Sequence, residues 1–488
     1  MNRNIQVIES LFGQPVIIGR LEETEEAIHR VEQMLSGLSV PDCVVFYHGV
    51  PSVGKTTLLH EIRRQCAGRG VPSALVDFDR EQIADGCSVD GIYDGLSGRV
   101  KVAERLMKEL ARSADFLPDR PINSDLSPDE ATERLLDFAR GLYQFGHQRP
   151  FALFFDTIED ADPEAFLWVQ ERILEPFLNQ FRVLIVMASR TEPNTIRRDL
   201  TYPIERRTTK YRLEPFDGGW TDEQLNTLGA QDVALRGADL TRYTGGLPGL
   251  NRDAARWLVQ KRPVDQLLSH LVDEVIFKRL AHRVPGDLKA EVLAVSALRQ
   301  FDSGLLRRLT RSLWPAKYAA TGMGPTRQLL QRLQQTRLVE PHPDGYGYVV
   351  PHDLRVVLDA YWRETQPEQH FRVHQTAARW FTEQIKQSDY VAIADRLYHL
   401  GGLWRDVEEH PDLADHLESD LQPEPAVYDR LVYELRMALD ALRDHPRAYD
   451  LVNKIKNVLR GPEFTHILEP AIIEELITVC ERFNSSIH

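Results

Sequence analysis

Residues 43–57 read CVVFYHGVPSVGKTT, an apolar run that closes on a glycine and is followed by a second glycine, a lysine and two threonines. A short continuous apolar run is the pattern of a strand buried on both faces. The TTLLHEIRRQC that begins at Thr56 carries its apolar positions at helical spacing, so the stretch predicts strand, loop and helix in that order. Within it, GVPSVGKTT from Gly49 to Thr57 fits G-x-x-x-x-G-K-[ST]. Glycines there let backbone N–H groups curl around phosphate oxygens, and the helix N-terminus favours negative charge. A lysine reaches the β- and γ-phosphates, and the hydroxyl after it holds Mg²⁺. The expected ligands are ATP or ADP with Mg²⁺, and the expected binding residues are Gly49, Ser52, Val53, Gly54, Lys55, Thr56 and Thr57. Lys55 also belongs to the catalytic set, and Thr56 to the metal set.

Working outward, SALVDFD (73–79), FALFFD (151–156) and RVLIVMAS (182–189) predict three more buried strands, with helical patterns at 129–143 and 163–181 between them. Alternation of this kind means a parallel sheet covered by helices on both faces, an α/β P-loop NTPase domain. After Tyr211 the strand pattern stops. Residues 219–260 read as a small helical module broken by Gly245, Gly246 and Pro248. Residues 263–365 read as helices followed by a hairpin around Asp344-Gly345, the order of a winged helix. The expected domains are an N-terminal segment (1–18), a nucleotide-binding domain (19–210), a helical lid (211–262), a winged-helix domain (263–365) and a C-terminal helical region (366–488). The 488 residues suit roughly three or four domains.

Asp156 ends the strand after the phosphate loop and is the second expected Mg²⁺ ligand, since an acid there can hold the ion through water; a simple strand-end turn acid is the alternative. Glu159 and Asp160 follow, and either carboxylate could orient or deprotonate an attacking water. Glu159 is the preferred base. Arg190 terminates RVLIVMAS at the carboxyl edge of the sheet, where a guanidinium could sense the γ-phosphate or form a surface ion pair.

The composition is that of a globular protein, with 42% hydrophobic and 27% charged residues. No apolar run approaches the roughly 20 residues that span a bilayer, and the opening MNRNIQVIESLFGQPVIIGR lacks a signal-peptide pattern, so a cytoplasmic protein with no membrane partner is expected. The four cysteines, Cys43, Cys66, Cys87 and Cys480, fall in no zinc or redox spacing. A net charge of −14 argues against a nucleic-acid partner unless basic residues cluster.

These elements, with four others, resemble the STAND class of P-loop ATPases, which includes the NB-ARC modules of plant resistance proteins, apoptosis activators and bacterial antiphage sensors. Ile18-Gly19-Arg20 is similar to the class's opening motif, although Leu21 stands where a glutamate is usual. Asp156-Thr157 departs from its paired strand-end aspartates, which leaves the base open. Met187-Ala188-Ser189-Arg190 resembles the sensor strand, and Gly246-Leu247-Pro248 resembles the G-[LN]-P element whose proline packs on adenine. Pro351-His352-Asp353-Leu354 is similar to the M-H-D-L segment whose histidine contacts the β-phosphate of ADP. The resemblance thus implies nucleotide roles for Gly19, Arg20, Arg190, Pro248 and His352. Arg252 could be a second sensor arginine or a helix-surface residue.

What the resemblance implies is a slow Mg²⁺-dependent ATPase used as a signalling switch, closed with ADP and self-associating with ATP, in bacterial defence or stress signalling. Only 18 residues precede Gly19, too few for a folded output domain, so output is expected either from an effector or sensor protein in trans or from a longer polypeptide of which this chain is a part. Two other readings stand beside it: a winged-helix transcription regulator, for which Arg327, Arg332 and Arg337 would face DNA, and an ATP-driven remodeller of the AAA+ type.

Overall fold

A computed structural model describes residues 18–38, 40, 42–78, 95–114, 127–178, 182–190, 192–193, 200–280, 284–318, 323–342, 347–387, 389, 392–417, 421, 427–443, 445 and 447–486. The expected N-terminal segment before Ile18, Cys87 and the Asp344-Gly345 hairpin tip lie outside the described residues. The described chain divides into two compact units. One comprises the residues up to Thr241 together with Gly246–Val259, and the other comprises Arg242–Gly245 and the residues from Gln260 onward.

The first unit is a five-stranded, wholly parallel sheet in the order β2-β3-β4-β1-β5. Its elements in chain order are α1 (Leu21–Leu35), β1 (Val44–His48), α2 (Lys55–Gly68), β2 (Ser73–Asp77), α3 (Gly95–Ala114), α4 (Pro128–Gln148) and β3 (Phe151–Asp156). There follow α5 (Pro163–Trp168), β4 (Val183–Ser189), α6 (Tyr202–Glu205), β5 (Thr208–Arg212), α7 (Gly218–Thr227), α8 (Gly237–Thr244, whose residues from Arg242 belong to the second unit) and α9 (Pro248–Val259). Every residue of β3 and β4 is buried, as their unbroken apolar sequences require of strands covered on both faces. Strand β5, TTKYR, was not anticipated. It lies at the sheet edge with four of its five residues half-buried, so its side chains are polar and carry no apolar run.

The predicted helix over 163–181 begins as α5 but widens at Val169–Leu174 to i→i+5 bonding and tightens at Glu175–Phe177, where Pro176 cannot donate to the preceding turn. Strand β4 lies between β1 and β3, so the end of β4 falls between the phosphate loop after β1 and the acids after β3.

The second unit is mainly helical. After α10 (Leu267–His270) come α11 (Lys289–Ser296), α12 (Ser303–Leu313), α13 (Pro315–Tyr318) and α14 (Met323–Gln335). A short antiparallel pair, β6 (Glu340–Pro341) and β7 (Tyr348–Val349), follows, and Tyr348 also bridges to Phe301. The rest is α15 (His352–Thr365), α16 (Pro367–Lys386), α17 (Ala392–Glu409), α18 (Val427–Leu442), α19 (Ala448–Leu459), α20 (Pro462–Ile467) and α21 (Pro470–Ser486). Phe371, Trp404, Leu431, Leu435 and Leu476 belong to the core shared by these last helices. Among the described residues no helix is long and apolar enough to cross a membrane.

Candidate nucleotide site

Strand β1 delivers the chain to the carboxyl edge of the sheet at His48, and the loop then needs backbone that only small residues permit. Gly49 has φ +150°, and a Cβ there would sit 2.8 Å from the Leu213 carbonyl oxygen. Gly54, the residue before α2, has φ +102°. Ser52 adopts φ +67° without being glycine, the kind of local strain that concentrates at ligand-holding loops. Lys55 is 9% exposed, and its Nζ donates to the carbonyls of Gly49 and Val50 at 2.5 and 2.9 Å. The ammonium is therefore held in the mouth of its own loop at the positive end of α2, where an anion would compete for it.

Two acids lie side by side at neighbouring strand ends, since Asp77 of β2 is in register with Asp156 of β3. Asp156 is 2% exposed. Burial pushes its carboxyl up to about 6, and nearby Asp77 adds to the rise; a hydrogen bond from the Thr56 hydroxyl, the Lys55 ammonium and the Thr157 N–H oppose it. The two residues expected to hold Mg²⁺, Thr56 and Asp156, thus touch each other. Asp77 was missed by the sequence reading, although its signal was available as the acid that closes the run SALVD.

Glu159 and Arg190, given separate roles from sequence, meet in one partly buried ion pair. Arg190 Nε lies 2.9 Å from Glu159 Oε1, and the Arg190 backbone N–H donates to Oε2 at 3.2 Å. A turn led by Thr157 in the left-handed region, φ +56°, sets up this approach. Asp160 in the same turn is buried, and its N–H donates to the Thr157 carbonyl at 2.9 Å.

On the other side of the loop, Arg20 Nη2 donates to the Val53 carbonyl at 3.2 Å and to the Glu214 carbonyl, and its guanidinium stacks 5.2 Å over the Phe216 ring. Burial lowers its pKa, against the pull of Glu23 and Glu214. Gly19, φ +64°, packs so closely that a Cβ would meet Phe216 at 3.0 Å and Trp220 at 3.2 Å. Gly246 likewise lies against Phe216, whose N–H donates to the Gly246 carbonyl at 2.8 Å.

Pro248 opens α9, and its carbonyl accepts from Gln224 Nε2 at 2.9 Å. The residue after it, Gly249, was not singled out from sequence, yet it makes the direct contact with the phosphate loop. Its N–H donates to the Ser52 carbonyl at 2.9 Å, and a Cβ would lie 2.8 Å from Ser52 Cβ. Arg252 is exposed on α9. His352 belongs to the second unit, at the start of α15, with its Nδ1 3.1 Å from Arg355 Nη2.

The residues present fit a Mg²⁺ nucleotide. Two loop glycines with positive φ supply a cradle, Lys55 supplies a cation, and Thr56 with the buried Asp156 supplies the hard oxygen ligands such an ion takes. Residues 17–169 match the family model described as AAA ATPase domain, a stretch that contains the phosphate loop, Asp156, Glu159 and Asp160. No curated protein matches the chain significantly. Among solved structures, the Walker-type ATPase of Pyrococcus abyssi aligns at 15% identity over 70% of this chain and 96% of its own, with a TM-score of 0.43. DnaA from Aquifex aeolicus aligns at 13% over 74% and 95%, with a TM-score of 0.35. A Signal Transduction ATPase with Numerous Domains from Pyrococcus horikoshii, which carries a tetratricopeptide repeat sensor, aligns at 15% over 97% and 64%, with a TM-score of 0.28.

Proposed function

We propose that the chain is a nucleotide-dependent switch of the STAND kind, which binds ATP and Mg²⁺ at Gly49–Thr57, hydrolyses ATP slowly and reports the nucleotide state through α7–α9. The observation that carries this reading is the seating of Gly249 on Ser52. The first turn of α9 is hydrogen-bonded to the loop that would hold the phosphates, so a rearrangement of that loop on nucleotide exchange must be accommodated by α9 and by its partner Gln224. A switch requires a differential contact of this kind between states.

In this reading the Thr56 hydroxyl and Asp156 hold the Mg²⁺, which when bound neutralises phosphate charge. Lys55 leaves the Gly49 and Val50 carbonyls for the phosphate oxygens. Arg190 and Glu159 would hold each other until the γ-phosphate draws the guanidinium away, and the released Glu159 carboxylate would then accept a proton from the water whose oxygen bonds the γ-phosphorus as the bond to the departing ADP oxygen breaks. Winged-helix character for the α11–α14 and β6–β7 stretch is part of the same proposal. Arg327 and Arg332 lie on the exposed face of α14, with Leu329, Leu330 and Leu333 turned inward and Arg332 ion-paired to Asp287 at 2.8 Å, an arrangement any surface helix can show and one that does not by itself favour the regulator reading. A defence role remains an expectation of the resemblance.

The test is the nucleotide released from denatured purified protein, with the molecular mass measured before and after ATP. Bound ADP on a monomer that assembles with ATP is the expected result. A chain that binds no nucleotide, or cycles ATP rapidly at constant mass, overturns the switch.

A further inference from the structure

The second unit encloses a group of ionisable side chains that the nucleotide reading does not use. Asp359 comes from α15, His370 and His374 from α16 and His399 and Asp406 from α17, and all five are 0% exposed. His370 and His374 are four residues apart and so share a helix face. One ring nitrogen of each and a carboxylate oxygen of Asp359 lie within 4.8 Å of one another.

We propose that Asp359, His370 and His374 form a structural binding site for a divalent transition metal, with Zn²⁺ the ion best suited to two imidazoles and one carboxylate.

Each of these three side chains is held from behind by another group. His370 Nδ1 is 2.7 Å from Asp406 Oδ2, which leaves Nε2 facing Asp359 Oδ1 at 2.8 Å. The other Asp359 oxygen accepts from Arg405 at 3.2 Å and lies 3.1 Å from His466 Nε2. His374 Nδ1 is 3.0 Å from His399 Nδ1, and His374 Nε2 has no hydrogen-bond partner among the described residues. Histidines that bind metals show this arrangement, one nitrogen to the ion and the other to a fixed partner. Gly402 on α17 leaves room for the His374 ring to sit there, since a Cβ would lie 2.3 Å from its Cε1 and 2.8 Å from its Nε2.

The competing account makes His370 an imidazolium bridging Asp406 and Asp359. Burial disfavours that charge, but the two carboxylates prevail and raise the pKa to about 9. It explains His370 and leaves His374 Nε2, a buried polar atom that costs stability when unpaired, without a purpose. Metal binding exchanges one for the other: the proton on His370 Nε2 leaves to solvent, and its lone pair and that of His374 take the ion. The ion would then clamp α15 to α16 from within.

The full chain, purified without chelator from zinc-supplemented cells, is analysed for metal by mass spectrometry, then stripped and titrated with Zn²⁺ while its unfolding temperature is followed. One equivalent per chain, a lower unfolding temperature after stripping and its recovery on adding one equivalent are expected. Co²⁺ in place of Zn²⁺ should give visible ligand-field bands that His374→Ala abolishes. Asp406→Asn keeps the three ligands and should weaken zinc affinity about 10–100-fold. A wild-type chain that holds substoichiometric zinc, takes up none on titration and unfolds at one temperature with or without chelator overturns the proposal and leaves the imidazolium bridge.

Discussion

Gly249→Ala separates two physical effects by their sign. In the first turn of α9, alanine is a better helix former than glycine by up to about 1 kcal/mol, so helix preference alone predicts a more stable protein. The new Cβ, however, would lie 2.8 Å from Ser52 Cβ, 2.9 Å from Ser52 Oγ and 3.2 Å from the Ser52 carbonyl oxygen. Overpacking of that degree typically costs about 1–3 kcal/mol, which outweighs the helix gain. The expected net loss is roughly 1–2 kcal/mol, or about 2–8 °C in Tm for a unit of this size. Nucleotide affinity should fall with it, because relief comes either from a shift of the phosphate loop or from lifting α9.

Ser52→Gly removes both side-chain atoms of that contact and suits a residue with φ +67°. Combined with Gly249→Ala it should recover most of the lost stability, a coupling that a double-mutant cycle reads directly. Thermal unfolding and calorimetry on the four proteins decide the matter. A Gly249→Ala protein that is more stable than wild type with unchanged ATP and ADP affinity, or a loss equally large in the Ser52→Gly background, refutes the seating of α9 on the loop.

Lys55→Ala should abolish ATP binding, since it removes the ammonium in the mouth of the loop; unchanged affinity in calorimetry would exclude this site. Asp156→Asn should act in opposite directions with and without ligand. With a folded pKa of about 6 against an ordinary 3.8, the carboxylate disfavours the fold at neutral pH, and that penalty is relieved as pH falls through 6 towards 3.8. The asparagine should therefore stabilise the nucleotide-free protein at pH 7, by at most roughly 3 kcal/mol, while weakening Mg²⁺-dependent binding more than Mg²⁺-free binding. Equal weakening would move the metal role elsewhere. His352→Ala tests the role its motif implies in retaining ADP: loosened ADP, nearly unchanged ATP and a larger assembled fraction are expected, and wild-type values in a folded variant assign His352 a structural role within the second unit, where it contacts Arg355.

Four of the five strands were legible because a strand buried on both faces must be apolar throughout, and SALVD, FALFFD and RVLIVMAS say so without help from the rest of the chain. β5 was not, because, unlike β2 at the opposite edge, which is mostly buried, it is only half-buried and carries polar side chains, and TTKYR could as well be a loop. The phosphate loop was legible for a different reason: its chemistry constrains neighbouring positions, so the constraint is written contiguously. Gly249 and Asp77 obey constraints set by residues distant in sequence, Ser52 and Asp156, and a glycine after a proline or an acid after a strand has too many ordinary explanations to be singled out. His370 and His374 are a similar case, since two histidines four apart become a candidate ligand pair only when Asp359 is brought beside them.

Glu159 and Arg190 carry the last prediction, because their contact changes what each can do. Read separately, one is a base ready to act and the other a sensor ready to bind. The strand order places the end of β4 beside the end of β3, and the two side chains close on each other at 2.9 Å, each largely buried. A carboxylate so held is oriented towards a guanidinium, so under the proposed mechanism the pair would restrain hydrolysis as well as enable it. Glu159→Gln should leave ATP affinity nearly intact and slow hydrolysis by about 10²–10⁴-fold, the usual contribution of a general base. Arg190→Ala frees Glu159 but removes the group drawn to the γ-phosphate, so it should weaken ATP more than ADP. Single-turnover hydrolysis and nucleotide affinities for both variants separate these effects. Hydrolysis that survives Glu159→Gln but is lost in Asp160→Asn moves the base by one residue. An Arg190→Ala protein with equal losses for ATP and ADP makes the pair a structural ion bridge at the sheet edge.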